Sequence, residues 1–167
     1  MARILFYIGG ARSGKSRLAE ARTRAFGQPA SYIATAEAWD DEMAERIAHH
    51  QASRGPEWRT HTAPRDLCAA LRASEGTPRL VDCLTLWLTN LMLADLDWQA
   101  QTAQMLALVR AQTSPVVFVS NEVGMGIVPE NALARRFRDA QGWLNQTIAA
   151  AADEVHFTAA GLSLRMK

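Results

Sequence analysis

Gly9-Gly10-Ala11-Arg12-Ser13-Gly14-Lys15-Ser16 fits the spacing G-x-x-x-x-G-K-[ST], and the apolar run Ile4-Leu5-Phe6-Tyr7-Ile8 leads straight into it. The pattern is that of a phosphate-binding loop. Glycines let backbone N–H groups curl around an anion, a lysine reaches the outer phosphates, and a serine hydroxyl such as that of Ser16 holds Mg²⁺. From average glycine usage, a chance match in a chain this long is roughly a one-in-a-hundred event. Ser16-Arg17-Leu18-Ala19-Glu20-Ala21-Arg22 reads as a helix, and its N-terminus would aim its dipole at the phosphates. A plain glycine turn from strand to helix is the alternative. Either way, strand, loop and helix in this order commit the chain to an α/β fold.

At 167 residues, 49% hydrophobic and 21% charged, the chain is read as one domain spanning residues 1–167. It can bury roughly 70% of its unfolded surface and needs no disulfides. Eighteen basic against 17 acidic residues leave a net charge of +1, so no global field recruits nucleic acid or an anionic membrane. The longest apolar stretch, Leu84 to Leu96, is interrupted by Thr85, Thr89, Asn90 and Asp95 and is too short to span a bilayer. Met1-Ala2-Arg3 leads directly into a strand, so no signal peptide is expected. Cys68 and Cys83 lack metal or redox spacing and are expected to be buried free thiols of a cytoplasmic protein.

Downstream, Ala30 to Thr35 reads as a second buried strand, ending in the small residues Ala34, Thr35 and Ala36 that leave room for a ligand at the sheet's carboxyl edge. Asp40 to Gln51 reads as a helix with Met43, Ala44 and Ile47 in its apolar stripe and His50 at the margin. His49 falls on the polar side, one turn after Glu45, which can orient an imidazole. Periodicity alone leaves His49 as a solvated residue favourable to the helix dipole, or as a group with a chemical task. Trp58 to Thr62 suggests a short strand and Pro64 to Ala73 a helix.

Arg79-Leu80-Val81-Asp82 is a strand ending in an acid, and Asp82 can hold Mg²⁺ or its water beside Ser16. Helices follow at Leu84 to Leu96 and Trp98 to Gln112, then a buried strand from Pro115 to Ser120. Asn121 to Pro129 is a loop with a carboxamide, a carboxylate and two glycines at a strand end, either functional or a simple connection. Pro129 can open the helix Glu130 to Ala152, with Leu133, Phe137, Leu144 and Ile148 inward and Arg135, Arg136 and Arg138 mostly solvated. Val155 to Thr158 and Leu162 to Met166 close as a hairpin about Gly161, an antiparallel edge to a mostly parallel sheet.

Taken together, these residues resemble the bifunctional adenosylcobinamide kinase/adenosylcobinamide-phosphate guanylyltransferase family. The likeness runs through the phosphate loop, Tyr32 to Thr35, Asp40 to His50, Trp58 to Thr60, Leu88 to Leu91 and the distinctive block Ser120 to Asn131. Leu133 to Asn145, Ala151 to Val155 and Gly161 complete it. The resemblance implies a P-loop NTPase fold of the RecA-like kind, with ATP or GTP phosphorylating adenosylcobinamide. It further implies that GTP then gives GMP to a histidine, by position His49, which passes it to the cobinamide phosphate. Ala34, Thr35, Ala36, His50, Gln51, Ala52 and Ser53 would contact the guanine nucleotide, and the assembly would be a homotrimer. Two positions depart from the family pattern. His61-Thr62-Ala63 offers no acid where one is usual after Trp-Arg-Thr, and Asp82 stands where a longer Glu is usual.

Two rivals remain at this level: a phosphate-loop small-molecule kinase without nucleotidyl transfer, and a GTP-binding switch module. The second would be supported by an N/T-K-x-D motif, which is absent, and its D-x-x-G match, Asp139 to Gly142, lies on an expected helix. No basic stripe with interleaved aromatics suggests a nucleic-acid motor.

Overall fold

The computed structural model describes residues 1–38, 41–52 and 54–167; the side chains of Met43, Arg46, His49, His50 and Gln51 lie outside the described set. The elements are β1 (Ile4–Gly9), α1 (Lys15–Arg24), β2 (Ala30–Ala34), α2 (Asp41–Ala52), β3 (Trp58–Thr62), α3 (Leu67–Ala73) and β4 (Arg79–Asp82). They continue with α4 (Leu84–Leu93), α5 (Trp98–Ala111), β5 (Val116–Asn121), α6 (Ala132–Ala151), β6 (Glu154–Ala159) and β7 (Leu162–Arg165).

One seven-stranded sheet runs in the order β3-β2-β4-β5-β1-β6-β7. Every neighbouring pair is parallel except β6 and β7, which close as the expected antiparallel hairpin. Strand β5 lies between the loop-bearing β1 and the Asp82-bearing β4, the RecA-like P-loop arrangement that the resemblance implied.

Alternation along the strands divides the core. Ile4, Phe6, Ile33, Val81 and Phe118 meet the buried faces of α3, α4, α5 and α6, including Leu71, Trp87, Met105, Leu144 and Ile148. Leu5, Tyr7, Tyr32, Leu80 and Val119 face the other way, against Ala19 and Leu18 of α1 and the ring of Phe26. Helix α2 stands apart. Its described side chains at 41, 42, 44, 45, 48 and 52 are exposed, and Ile47 is half-buried. Ala44 was expected in a packed stripe, but among the described residues nothing covers it.

Several boundaries correct the sequence reading. Helix α6 opens at Ala132 rather than at Glu130 because the Asn131 side chain, not Pro129, caps it by accepting from Ala134 N at 3.0 Å. Leu133, expected inward, is exposed in that first turn, while Leu144 and Ile148 are buried further along. Helix α4 stops at Leu93 because Asp95 turns into the left-handed region, φ 54°, and Leu96 N returns to Leu91 O at 3.0 Å. Helix α3 begins at Leu67, where Asp66 accepts from Ala69 N at 2.9 Å. Cys83 is buried as expected, its thiol pushed up to about 11 by burial and then by the Asp82 charge; Cys68 is only half-buried.

Arg79, which opens β4, is fully buried. Its guanidinium donates to Leu71 O at 3.1 Å, to Gln112 Oε1 and to Ser114 O, and pairs with Glu75 Oε2 at 3.1 Å. Burial alone would raise the Glu75 carboxyl; bonds from the Thr113 N–H and hydroxyl and Ser114 N–H, with the Arg79 charge, bring it below the usual range. Arg79 thus ties the start of β4 to the end of α3 and the α5–β5 turn. Arg79→Ala takes the guanidinium donor from Ser114 O and Gln112 Oε1 and the partner charge from Glu75, while Leu71 O keeps Gln112 Nε2, and it is expected to cost about 3–5 kcal/mol. Urea denaturation with an unchanged m-value checks this.

Candidate active site

The carboxyl ends of β1, β2, β4 and β5 converge on one edge, where an open α/β sheet binds ligands. At its centre the phosphate loop leaves β1. Arg12 has φ 54° and Gly14 φ 91°, and such left-handed residues turn successive N–H groups into an anion-binding concavity. Arg12 is the unexpected member, since no glycine marks its position. Gly14 is the N-cap of α1 and offers no side chain, so the first-turn N–H groups of that helix face an open cradle. Gly9 is required for a different reason: a Cβ there would lie 2.2 Å from Thr158 O of β6. At Gly10 an added Cβ would meet nothing within 4 Å.

The C-terminal hairpin backs this loop. Gly161 N donates to Ser13 O at 2.8 Å, Arg17 Nη2 reaches Gly161 O at 3.5 Å, and a Cβ on Gly14 would sit 3.0 Å from Gly161 Cα. Ser13 Oγ is buried with no hydrogen-bond partner among the described residues, an acceptor and donor awaiting a phosphate oxygen or water. Lys15 is buried, and its ammonium donates to Gly10 O at 3.0 Å. Binding a triphosphate requires it to exchange that carbonyl for phosphate oxygens.

Across β5, Asp82 ends β4 with its two oxygens in different employment. Oδ1 accepts from Ser16 Oγ at 3.5 Å and Oδ2 from the Tyr32 hydroxyl at 2.6 Å. Burial first, then the Asp82 charge, pushes the Tyr32 phenol far above its ordinary value, so it remains a donor. Among the described residues no cluster of three or more His, Cys, Asp or Glu side chains could hold a metal. One hydroxyl and one carboxylate oxygen nevertheless suit Mg²⁺, which takes few protein ligands and completes its shell with phosphate oxygens and water. The donor set present therefore fits that ion.

Thr35 and Asn90 hold the neighbouring strand end. Thr35 Oγ1 accepts from Cys83 N at 2.8 Å and donates to Cys83 O at 2.7 Å, and Thr35 N donates to Asp82 O at 3.2 Å. Asn90, buried in α4, donates to Thr35 O at 2.8 Å and to Pro64 O at 2.9 Å. Each polar group of Thr35 is thus paired, and its part at this edge is to fix the backbone beside Ala34 and Ala36. In the sequence the Asn90 tether shows only as a polar residue interrupting an apolar helix, within the Leu88-to-Leu91 stretch that carries the family likeness.

The distinctive block after β5 is also held from behind. Gln141 Nε2 donates to Ser120 Oγ at 2.9 Å, Asn145 Nδ2 to Asn121 O at 3.1 Å, and Arg138 Nη2 to Gly124 O at 2.6 Å. Arg138, expected to be solvated, is half-buried because it serves these loop carbonyls; Arg136 is exposed as expected. The Asp139-to-Gly142 match to a switch motif lies inside α6. Thr62 is exposed at the end of β3, and the cleft it lines, about 520 Å³, is also lined by Glu37. A carboxylate therefore faces that cleft from the segment after β2 instead of from β3.

His49 and His50 lie in the last turns of α2, with their side chains, and that of Gln51, outside the described residues, as is Ser53. Ala52 is exposed. The other two histidines are engaged elsewhere. His61 Nε2 lies 3.3 Å from Ser31 Oγ, while His156 stacks on Tyr7 at 4.7 Å and bonds Glu154 and Ser163.

The family described as cobinamide kinase / cobinamide phosphate guanyltransferase matches residues 5–166. The bifunctional adenosylcobalamin biosynthesis protein CobP of Pseudomonas aeruginosa is 50% identical over 165 residues, covering 96% of this chain and 95% of that one. The bifunctional adenosylcobalamin biosynthesis proteins CobU of Salmonella typhimurium and Escherichia coli are 42% and 43% identical, each covering 98% of this chain and 99% of theirs.

Proposed function

The chain belongs to the cobinamide kinase / cobinamide phosphate guanyltransferase family, and from that premise we propose how its residues share the two reactions. It is a bifunctional enzyme of adenosylcobalamin biosynthesis, a cobinamide kinase and a cobinamide-phosphate guanylyltransferase. The observation that carries this is the family match over residues 5–166, which includes an intact phosphate loop.

In the kinase reaction the aminopropanol hydroxyl of adenosylcobinamide attacks the γ-phosphorus of ATP or GTP, and the nucleoside diphosphate leaves. In the second reaction an imidazole nitrogen of His49 attacks the α-phosphorus of GTP, the bond to the β-phosphate bridging oxygen breaks, and pyrophosphate leaves. A phosphate oxygen of adenosylcobinamide phosphate then attacks the GMP phosphorus, the N–P bond breaks, and adenosylcobinamide-GDP is formed with the imidazole restored. Splitting the transfer in two replaces one difficult displacement by two easier ones.

The loop N–H groups and Lys15 bind the triphosphate and stabilise charge on the departing oxygens. Ser16 and Asp82 would hold Mg²⁺, which when bound supplies further charge neutralisation on the phosphates. Tyr32 keeps one oxygen of Asp82 occupied, so the other is left toward Ser16. Ala34, Thr35, Ala36, His50, Gln51, Ala52 and Ser53 border the guanine nucleotide in this reading. The domain acts as one nucleotide-binding unit in the cytoplasm; among the described residues no helix is long and apolar enough to cross a membrane. Self-association, which the family resemblance would make a homotrimer, is supported by two exposed apolar sets, Met125, Ile127 and Val128 after β5 and Leu162, Leu164 and Met166 in and just after β7.

The test is product analysis by mass spectrometry with purified protein, Mg²⁺, GTP and adenosylcobinamide. Both the phosphate and the GDP adduct are expected. Phosphate alone would support a kinase without nucleotidyl transfer.

A further inference from the structure

Arg54 lies two residues beyond the end of α2, and its side chain turns back to the sheet. Its guanidinium carbon is 3.4 Å from the centroid of the Tyr32 ring, and Nη1 donates to Thr60 Oγ1 at 3.3 Å. Trp58 meets the same ring edge-on, with centroids 5.7 Å apart and planes at 84°. The Tyr32 hydroxyl is the group that holds Asp82 Oδ2. A planar cation stacked on a ring at this separation is a geometry that lysine cannot reproduce.

What Arg54 fastens matters because the described side chains of α2 bury little. Its described side chains are exposed apart from the half-buried Ile47, whereas the other helices bury a face against the sheet or one another. With its described side chains burying so little, the helix draws on contacts at its ends for its position. Beyond the C-terminal end, which carries the histidine pair, the stack on Tyr32 is, among the described residues, a contact that leads back to the phosphate-binding edge.

We propose that Arg54 is a positioning residue that, by stacking on Tyr32, ties the C-terminal end of α2 to the ring whose hydroxyl holds Asp82, and thereby sets the approach of the α2 nucleophile to the nucleotide. The proposal rests on the reading of His49 as the guanylylated residue. It assigns Arg54 to the GMP-transfer reaction, since in this reading only that reaction forms a bond to a group of α2. A misplacement of about 1 Å in a reacting group costs on the order of 100-fold.

Three variants test it, each with two readouts: single-turnover rates of GMP–protein formation and of cobinamide phosphorylation, and hydrogen exchange of the amides of residues 41–52 in the nucleotide-free protein. Arg54→Ala is expected to slow GMP–protein formation about 10- to 100-fold, to leave phosphorylation within about threefold, and to speed exchange in α2 but not in α1. Arg54→Lys is expected to behave like Arg54→Ala in exchange, because charge without a planar stack does not seat the helix. Tyr32→Phe keeps the ring face and should leave α2 exchange as in the unaltered chain. Unchanged exchange in Arg54→Ala would overturn the proposal. Equal loss of both reactions would also overturn it, by making Arg54 a direct contact to the triphosphate. If the unaltered protein forms no GMP adduct, the reading of His49 fails, while the exchange comparison still decides whether Arg54 seats the helix.

Discussion

His49→Ala is expected to convert adenosylcobinamide to its phosphate at a rate within a few-fold of the unaltered chain and to form no GDP adduct. A neutral imidazole nitrogen is a competent nucleophile near pH 7, because its unperturbed pKa is about 6.5. His61 and His156 are held by Ser31, Tyr7, Glu154 and Ser163, so neither is free to take over. His50 is the neighbour in α2 that needs a control, and His50→Ala is expected still to form the GDP adduct, with a raised KM for GTP because its place beside the guanine nucleotide is lost. Product ratios by mass spectrometry read both variants. A GDP adduct from His49→Ala at the normal rate would move the nucleophile elsewhere.

Lys15→Ala has the opposite signature, the loss of both reactions together. Its ammonium is the one buried cation of the loop, now resting on Gly10 O, and both reactions develop charge on phosphate oxygens that it must meet. Removing a single preorganised donor of this kind costs about 100- to 1000-fold, here expected in each rate. Steady-state kinetics of the two half-reactions check it. A Lys15→Ala protein that loses only one of the two activities would show that the reactions use different phosphate sites.

The contrast between these residues follows how each could be read. The phosphate loop was legible because its constraints are local: spacing, glycine and the strand before it. The strands Trp58–Thr62 and Arg79–Asp82 were legible down to their ends, being short runs bounded by loop residues. The terminal hairpin was also visible, but not that its tip presses on Gly14. Contacts between residues far apart in the chain left no local trace. Tyr32 with Asp82, Asn90 with Thr35 and Arg79 with Ser114 each depend on the order of strands, which periodicity does not encode. Helix ends failed where side-chain caps overrode simpler signals, as Asn131 did over Pro129. The role proposed for His49 has no physical signature in the sequence, since a polar-face histidine in a last turn is also an ordinary surface residue. That proposal rests on family resemblance alone.

The most direct measurement is incubation of the protein with Mg²⁺ and GTP labelled at the α-phosphate, followed by denaturation and acid and alkali treatment of the protein. A phosphoramidate to histidine is labile in acid and survives alkali. The expected result is an acid-labile, alkali-stable label that maps to the peptide containing His49 and is missing from His49→Ala. Label that persists in that variant, or protein that takes up none while still forming the GDP adduct, would contradict transfer through this histidine.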